Sequence, residues 1–185
     1  MIRKNFNQDW QVMKGGSSAS TAAFLGTNEV HTVHLPHDAM IHEARRPDAE
    51  SGAQTGFYPG GEYIYQKTIH APEEWKEKKV FLEFEGIYQT AMVYINGALA
   101  ASSLYGYSSL YVELNPWLSF GSSSQIKVIA NNSLVPNSRW YTGSGIYRNV
   151  SLMTGGRIYI PADGIRITTL AADEESAVVE TVLRI

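Results

Sequence analysis

"KVFLEFEGIYQTAMVYINGALAAS" (residues 79–102) carries two strand signals, one after the other. In its first eight residues Val80, Leu82 and Phe84 fall on one face of an extended chain, and Lys79, Glu83 and Glu85 fall on the other. That is the alternation of an antiparallel strand with one side buried. Phe81 breaks the pattern by standing on the polar side. Further on, Asn96-Gly97 separates two strand-like runs. Both residues accept the positive φ of a type I′ turn, so residues 91–102 predict a β-hairpin.

The same rhythm extends in both directions. Strands are predicted at 29–35 ("EVHTVHL"), 62–70 ("EYIYQKTIH"), 108–115 ("SSLYVELN"), 125–131 ("QIKVIAN") and 145–153 ("GIYRNVSLM"). Helix is confined to a single turn opened by Pro72 through "PEEWKEK" and another in "NPWLSF". Residues 15–28 and 43–61 have no periodicity and read as long loops, the segments of a sandwich where function usually sits. Many short strands with frequent turn signals predict an all-β fold, a sandwich or jelly roll. After "TGGRIYIPADG" the composition changes, and "IRITTLAA", "DEES" and "AVVETVLRI" form one more hairpin. Two strands cannot bury a core of their own, so we expect a first domain over residues 1–154. Residues 155–185 are then a linker and the opening strands of a truncated second sandwich.

The 185 residues are 44% hydrophobic and 18% charged, with a net charge of -3. A chain of this size buries roughly 70% of its unfolded surface, so a real core is expected. Lys and Arg are scattered singly, without the clustered basic face that phosphate contacts require, and nucleic acid is set aside as a partner. No run approaches the roughly 20 apolar residues of a membrane span, and the N-terminus lacks an apolar signal-like core. We expect a soluble protein with no membrane partner. Its compartment is left open between bacterial cytoplasm and periplasm or exterior, the latter with a signal peptide removed. The absence of cysteine excludes disulfides, thiolate zinc sites and a Cys nucleophile.

Candidate chemistry is sparse. His31, His34 and His37 in "HTVHLPHD" have a spacing that could suggest metal, but period-two geometry sends His31 and His34 to opposite faces and the Pro36 turn redirects His37. Neither metal nor cofactor is expected. Glycoside hydrolysis needs two carboxyl groups about 5 to 9 Å apart. Most acids lie on polar strand faces (Glu83, Glu85, Glu113), in the helical turn (Glu73, Glu74, Glu77) or in the last hairpin (Asp173, Glu174, Glu175). Asp38 and Glu62 have irregular or aromatic surroundings, and Asp38 after "LPH" suits a turn cap. Ser144 in "GSG" lacks the strand-turn-helix setting of a nucleophile elbow. No catalytic residue is assigned. What the chain does offer is aromatic surface beside adaptable backbone, in "TGFYPGGEYIY" (55–65), "LYGYSSLY" (104–111) and "SRWYTGSG" (138–145). Sugars present apolar C–H faces and hydroxyl rims, which suit aromatic rings combined with amides and guanidinium groups. For the cluster Arg139-Trp140-Tyr141, a structural corner and one wall of a ligand site both remain open.

Several linked motifs carry a family resemblance: "LPHD" (35–38), "YPGGEYIYQKTI" (58–69), "VFLEFEGIYQTAMVYING" (80–97), "YGYSSLYVEL" (105–114) and "NSLVPNSRWYTGSGIYRNVSL" (132–152). In this order they resemble the N-terminal domain of family 2 glycoside hydrolases, and of these the β-galactosidase branch. The resemblance implies a jelly roll, often labelled sugar-binding and galactose-binding-like in form, followed by an immunoglobulin-like sandwich to which residues 157–185 would belong. It also implies a TIM barrel beyond, whose two glutamates cleave terminal β-glycosidic bonds with retention. The expected partners are then these C-terminal domains, a carbohydrate substrate and further copies in a homo-oligomer. Tyr58, Glu62, Asn137, Arg139 and Trp140 match stretches that shape the sugar subsite in related enzymes. Some relatives carry an acid in the second stretch that contacts sugar or a cation, where this chain has Asn137, Ser138 and Arg139. His37, Asp38, Gly143, Gly145, Tyr147 and Arg148 are expected to build a structural turn, with the glycines setting a sharp start to the last strand and Tyr147 and Arg148 locking it. The alternatives are an autonomous carbohydrate-binding module stacking sugar on Trp140 and Tyr58, a pure scaffold, or the same domain of a β-glucuronidase or β-mannosidase.

Overall fold

Side-chain alternation places one face of each strand inward, and two antiparallel sheets close on the result. The computed structural model describes residues 1–15, 29–134 and 140–185. Its strands are β1 (Ile2–Asn5), β2 (Trp10–Lys14), β3 (His31–Val33), β4 (Gly61–Ala71), β5 (Lys79–Phe84), β6 (Thr90–Ile95), β7 (Ala98–Ser103), β8 (Leu110–Glu113), β9 (Ser122–Asn132), β10 (Val150–Gly155), β11 (Ile165–Ala172) and β12 (Ala177–Leu183). One sheet runs β1-β10-β5-β8, the other β3-β2-β4-β9-β6-β7, and β11 and β12 form a separate pair. The core lies between the two larger sheets. Val80, Leu82 and Phe84 of β5 meet Trp10 and Val12 of β2, Tyr63 and Tyr65 of β4, Val93 and Ile95 of β6, and Ile126 and Val128 of β9, all buried. This is an all-β sandwich. Among the described residues no helix is long and apolar enough to cross a membrane.

The decisive stretch forms as its pattern requires. β6 and β7 are joined by Asn96 (φ 50°) and Gly97 (φ 85°). The Asn96 side chain also donates to Trp117 O at 2.9 Å and accepts from Gln125 N at 2.9 Å, tying the hairpin to β9. Phe81 is exceptional because Tyr159, beyond β10, covers it with ring centroids 5.7 Å apart. Glu83 points away from the core, yet is only 4% exposed. Arg3 of β1 reaches across the narrow sheet to pair with it, and the Tyr111 hydroxyl donates to it at 2.9 Å.

Other boundaries shift for identifiable reasons. β1 and β2 occupy an N-terminal run without assigned strands. β1 exposes every residue and exists by edge pairing with β10. The predicted strand at 29–35 keeps only His31–Val33. The strand expected from 145 begins at Val150, because Gly145 (φ 110°) makes a lone bridge to Tyr88 and residues 146–149 turn before pairing resumes. The turn after Pro72 is the 3₁₀ segment Glu73–Glu77. "NPWLSF" makes a hydrogen-bonded turn rather than helix, with Trp117 N and Leu118 N both donating to Leu114 O. The loop 43–61 contains the 3₁₀ turn Gly52–Thr55. The loop predicted at 15–28 lies outside the described residues except for Gly15. Every residue of β11 and β12 is exposed, and register places Ile165, Ile167, Val179 and Leu183 on one face of the pair.

Candidate functional site

At one edge of the sandwich the segment after Leu35 meets the segment before β10, and a single carboxylate fastens them. His37 N donates to Ile146 O at 2.9 Å and Ala39 N to Ser144 O at 2.8 Å, so the two segments run side by side. Asp38 caps the 3₁₀ turn Ala39–His42: its Oδ1 accepts from Met40 N at 3.0 Å. The same Oδ1 accepts from Ser144 N at 2.9 Å, and Oδ2 accepts from the Tyr141 hydroxyl at 2.5 Å. Bonds to a charged acceptor are short and stronger than neutral ones, so Asp38 is the knot of this edge.

The glycines of "TGSG" fit because nothing larger would. Gly143 has φ 70°, and a Cβ there would lie 2.9 Å from Asp38 Oδ2. Gly145 has φ 110°, and a Cβ would overlap the hydroxyl of Tyr65. Tyr65 is fully buried and shares a 2.8 Å hydrogen bond with His37 Nδ1. Burial drives the Tyr65 phenol well above its ordinary pKa, and the Asp38 charge adds to the effect. Burial, helped by His42, holds His37 below the usual histidine value. Asn132 at the end of β9 closes the loop, donating from Nδ2 to Gly143 O at 3.0 Å.

The knot presents aromatic rings. Tyr141 lies 5.1 Å from Tyr58 with planes tilted 60°, and the Arg45 guanidinium stands 5.4 Å from the Tyr58 ring centre. Trp140 is 62% exposed beside them. Burial first, then the hydrogen bond to Asp38, pushes the Tyr141 phenol far up. Such a wall can accept the C–H face of a sugar, with phenol and guanidinium groups at its margin. Asn137 and Arg139, expected beside Trp140, lie outside the described residues.

Glu62 sits apart from the knot, on β4. Its Oε2 accepts from Asn131 Nδ2 at 3.5 Å and its backbone oxygen from Gly15 N at 2.7 Å. Tyr147 donates to Gly106 O at 2.9 Å, and its ring fills the space a Cβ on Gly86 would need. Arg148 is half exposed and reaches Glu85 only at 4.0 Å, a surface pair of small worth. Asn149 does the fastening there instead, donating to Glu85 at 3.2 Å and accepting from Asn7 at 2.9 Å. Sequence reasoning also passed over Tyr65, Asn132 and Arg45. Nothing distinguished Tyr65 from other strand aromatics, and Arg45 lies in a loop without periodicity.

Behind the knot, between β2, β3 and the turn Ala39–His42, is a hollow of about 730 Å³ walled by Val12, Val33, His37, His42, Glu43 and Tyr63. Glu43 accepts from Lys14 at 2.5 Å and from the Tyr63 hydroxyl at 3.2 Å. His31 turns to Glu29 at 3.6 Å and His34 to Asp9 at 4.0 Å. Among the described residues no group of three His, Cys, Asp or Glu is arranged to hold a metal ion.

Comparison with known proteins agrees with this architecture. Residues 51–155 match the family model described as "Glycosyl hydrolases family 2, sugar binding domain". The chain is 35% identical to the beta-galactosidase BoGH2A of Bacteroides ovatus, over 95% of its own length and 21% of that protein. It is 33% identical to a beta-glucuronidase of Formosa agariphila, over 84% of its length and 17% of that protein. The solved structure of a beta-glycosidase from Bacteroides vulgatus superposes with a TM-score of 0.80 at 32% identity, covering 100% of this chain and 24% of the other. The chain thus spans about a sixth to a quarter of the length of these relatives.

Proposed function

Because the chain belongs to glycosyl hydrolase family 2 through its sugar binding domain, we propose that it is the N-terminal part of a retaining β-galactosidase-type enzyme, and that it shapes one side of the sugar subsite without breaking bonds. The observation that carries this reading is the Asp38 knot, which holds Tyr141 against Tyr58 and leaves their rings beside exposed Trp140. A glycosidase needs two carboxyl groups free to flank the scissile bond. The carboxylates at this edge are engaged otherwise: Asp38 with Met40, Ser144 and Tyr141, and Glu43 with Lys14 and Tyr63.

In this reading residues 1–154 buttress a catalytic barrel that supplies both glutamates, and residues 155–185 open an immunoglobulin-like sandwich. The isolated pairing of β11 with β12 supports that division. The substrate is a terminal β-glycoside, and the parent enzyme is a homo-oligomer. A β-glucuronidase parent is the second reading, favoured by the likeness to the Formosa agariphila enzyme. The test is hydrolysis of aryl β-galactoside and aryl β-glucuronide by this chain and by the full-length enzyme. We expect turnover of one substrate by the full-length enzyme and none by the chain. Turnover by the chain itself would overturn the proposal.

A further inference from the structure

The outer face of the six-stranded sheet carries a ladder of side chains that the sandwich does not use. Register places Thr32 of β3 opposite Gln11 of β2, Gln11 opposite Gln66 of β4, Gln66 opposite Lys127 of β9, and Lys127 opposite Tyr94 of β6. Their neighbours in sequence, such as Val12, Tyr65, Val128 and Val93, are buried in the core, so these five share the opposite face. Five adjacent strands put the ends of the row about 19 Å apart. A second row, Thr68 opposite Gln125, lies beside it.

This face is concave. A hollow of about 440 Å³ is lined by Asp9, Gln11, Thr32, Gln66, Lys67, Thr68 and Gln125, and so holds three of the chain's six glutamines. Among the described residues the side-chain amides of these three make no hydrogen bond to protein. By contrast, Asn96, Asn115, Asn131, Asn132 and Asn149 all donate through theirs. Lys127 holds its ammonium 4.8 Å from the centre of the Tyr94 ring, closing one end of the row with a tethered aromatic. Neutral amides and hydroxyls supply donors and acceptors together, the match for a polyol. Asp9 offsets Lys67, whose ammonium is taken up by the Gln8 backbone oxygen and the Phe6 ring, and Lys127 is tethered to Tyr94, so the face offers amides and hydroxyls rather than a free cluster of charge.

We propose that this ladder binds a neutral oligosaccharide laid across the strands, its hydroxyls on Gln11, Gln66 and Gln125 and one ring against Tyr94. Neither Tyr58, Trp140 nor Tyr141 lines this hollow, so the ladder is separate from the Tyr58–Tyr141 wall and the inference stands independently of the role given to that wall.

The test is titration of the full chain with β-1,4-galactotetraose, followed by side-chain amide resonances, with tri-galacturonate as the anionic control. The three glutamine amides are expected to shift with a millimolar Kd, while the control binds more weakly. The double variant Gln66→Ala/Gln125→Ala should weaken binding about tenfold, from loss of two amide hydrogen bonds, without moving the thermal midpoint. The nearly isosteric Gln66→Glu should weaken it too. Three results would each overturn the proposal: no shift, shifts confined to Tyr58 and Trp140, or equal binding of the anionic control.

Discussion

Replacing Gly145 with alanine strikes the knot where it has least room. The backbone there has φ 110°, a conformation costing an L-residue about 1–3 kcal/mol. The new methyl would overlap the Tyr65 hydroxyl and lie 2.9 Å from Cζ of that ring. Tyr65 is 0% exposed and cannot swing into solvent, so its 2.8 Å bond to His37 breaks, at about 1–3 kcal/mol for a buried polar pair. Together Gly145→Ala should cost about 2–6 kcal/mol and lower the thermal midpoint by about 10 °C for a chain of this length. Thermal unfolding followed by circular dichroism measures it, and a double-mutant cycle with Tyr65→Phe isolates the cause. Removing the hydroxyl relieves the worst overlap, so the pair should be coupled by about 1–2 kcal/mol. A loss below about 1 kcal/mol, or strict additivity with Tyr65→Phe, would refute the account of why glycine stands at 145.

Two further outcomes follow from the same edge. Asp38→Asn should cost about 2–3 kcal/mol as three charge-assisted bonds become neutral ones. It should also move the Tyr141 phenol down, though not to its ordinary value, because burial is the larger cause of its shift; ultraviolet titration of tyrosinate reads this directly. Stability should be greatest between about pH 6.5 and 10. Below that window His37, held low by burial, takes up a proton more readily in the unfolded chain, so acid destabilises. Above it Tyr63, Tyr65, Tyr141 and Tyr88, the last pushed up to about 12, keep their protons only when folded, so stability falls as pH rises. Urea midpoints across pH check both limbs.

The sandwich was legible wherever one face of a strand alternates against the other. β5, the β6–β7 hairpin, β4 and β9 all lie within two or three residues of their predicted bounds. β1 was not legible, because a strand with every residue exposed leaves no periodic signal and depends on a tertiary edge. "GIYRNVSLM" misled because Ile146 and Val150 are both buried, while the turn at Gly145 delays pairing to residue 150. The resemblance drawn from the linked motifs agrees with the family match over 51–155. At the knot, turn chemistry around Asp38 and the glycines could be read from the chain. The partners that make it a knot could not: Tyr141 lies 103 residues away and Tyr65 looks like any core aromatic.

The most direct measurement of the central claim is steady-state kinetics of the full-length enzyme carrying Tyr141→Ala, on the aryl glycoside it cleaves. A wall that holds sugar without taking part in bond breaking predicts KM raised about tenfold with kcat within about twofold. A kcat reduced by orders of magnitude at unchanged KM, or no change in either, would contradict it.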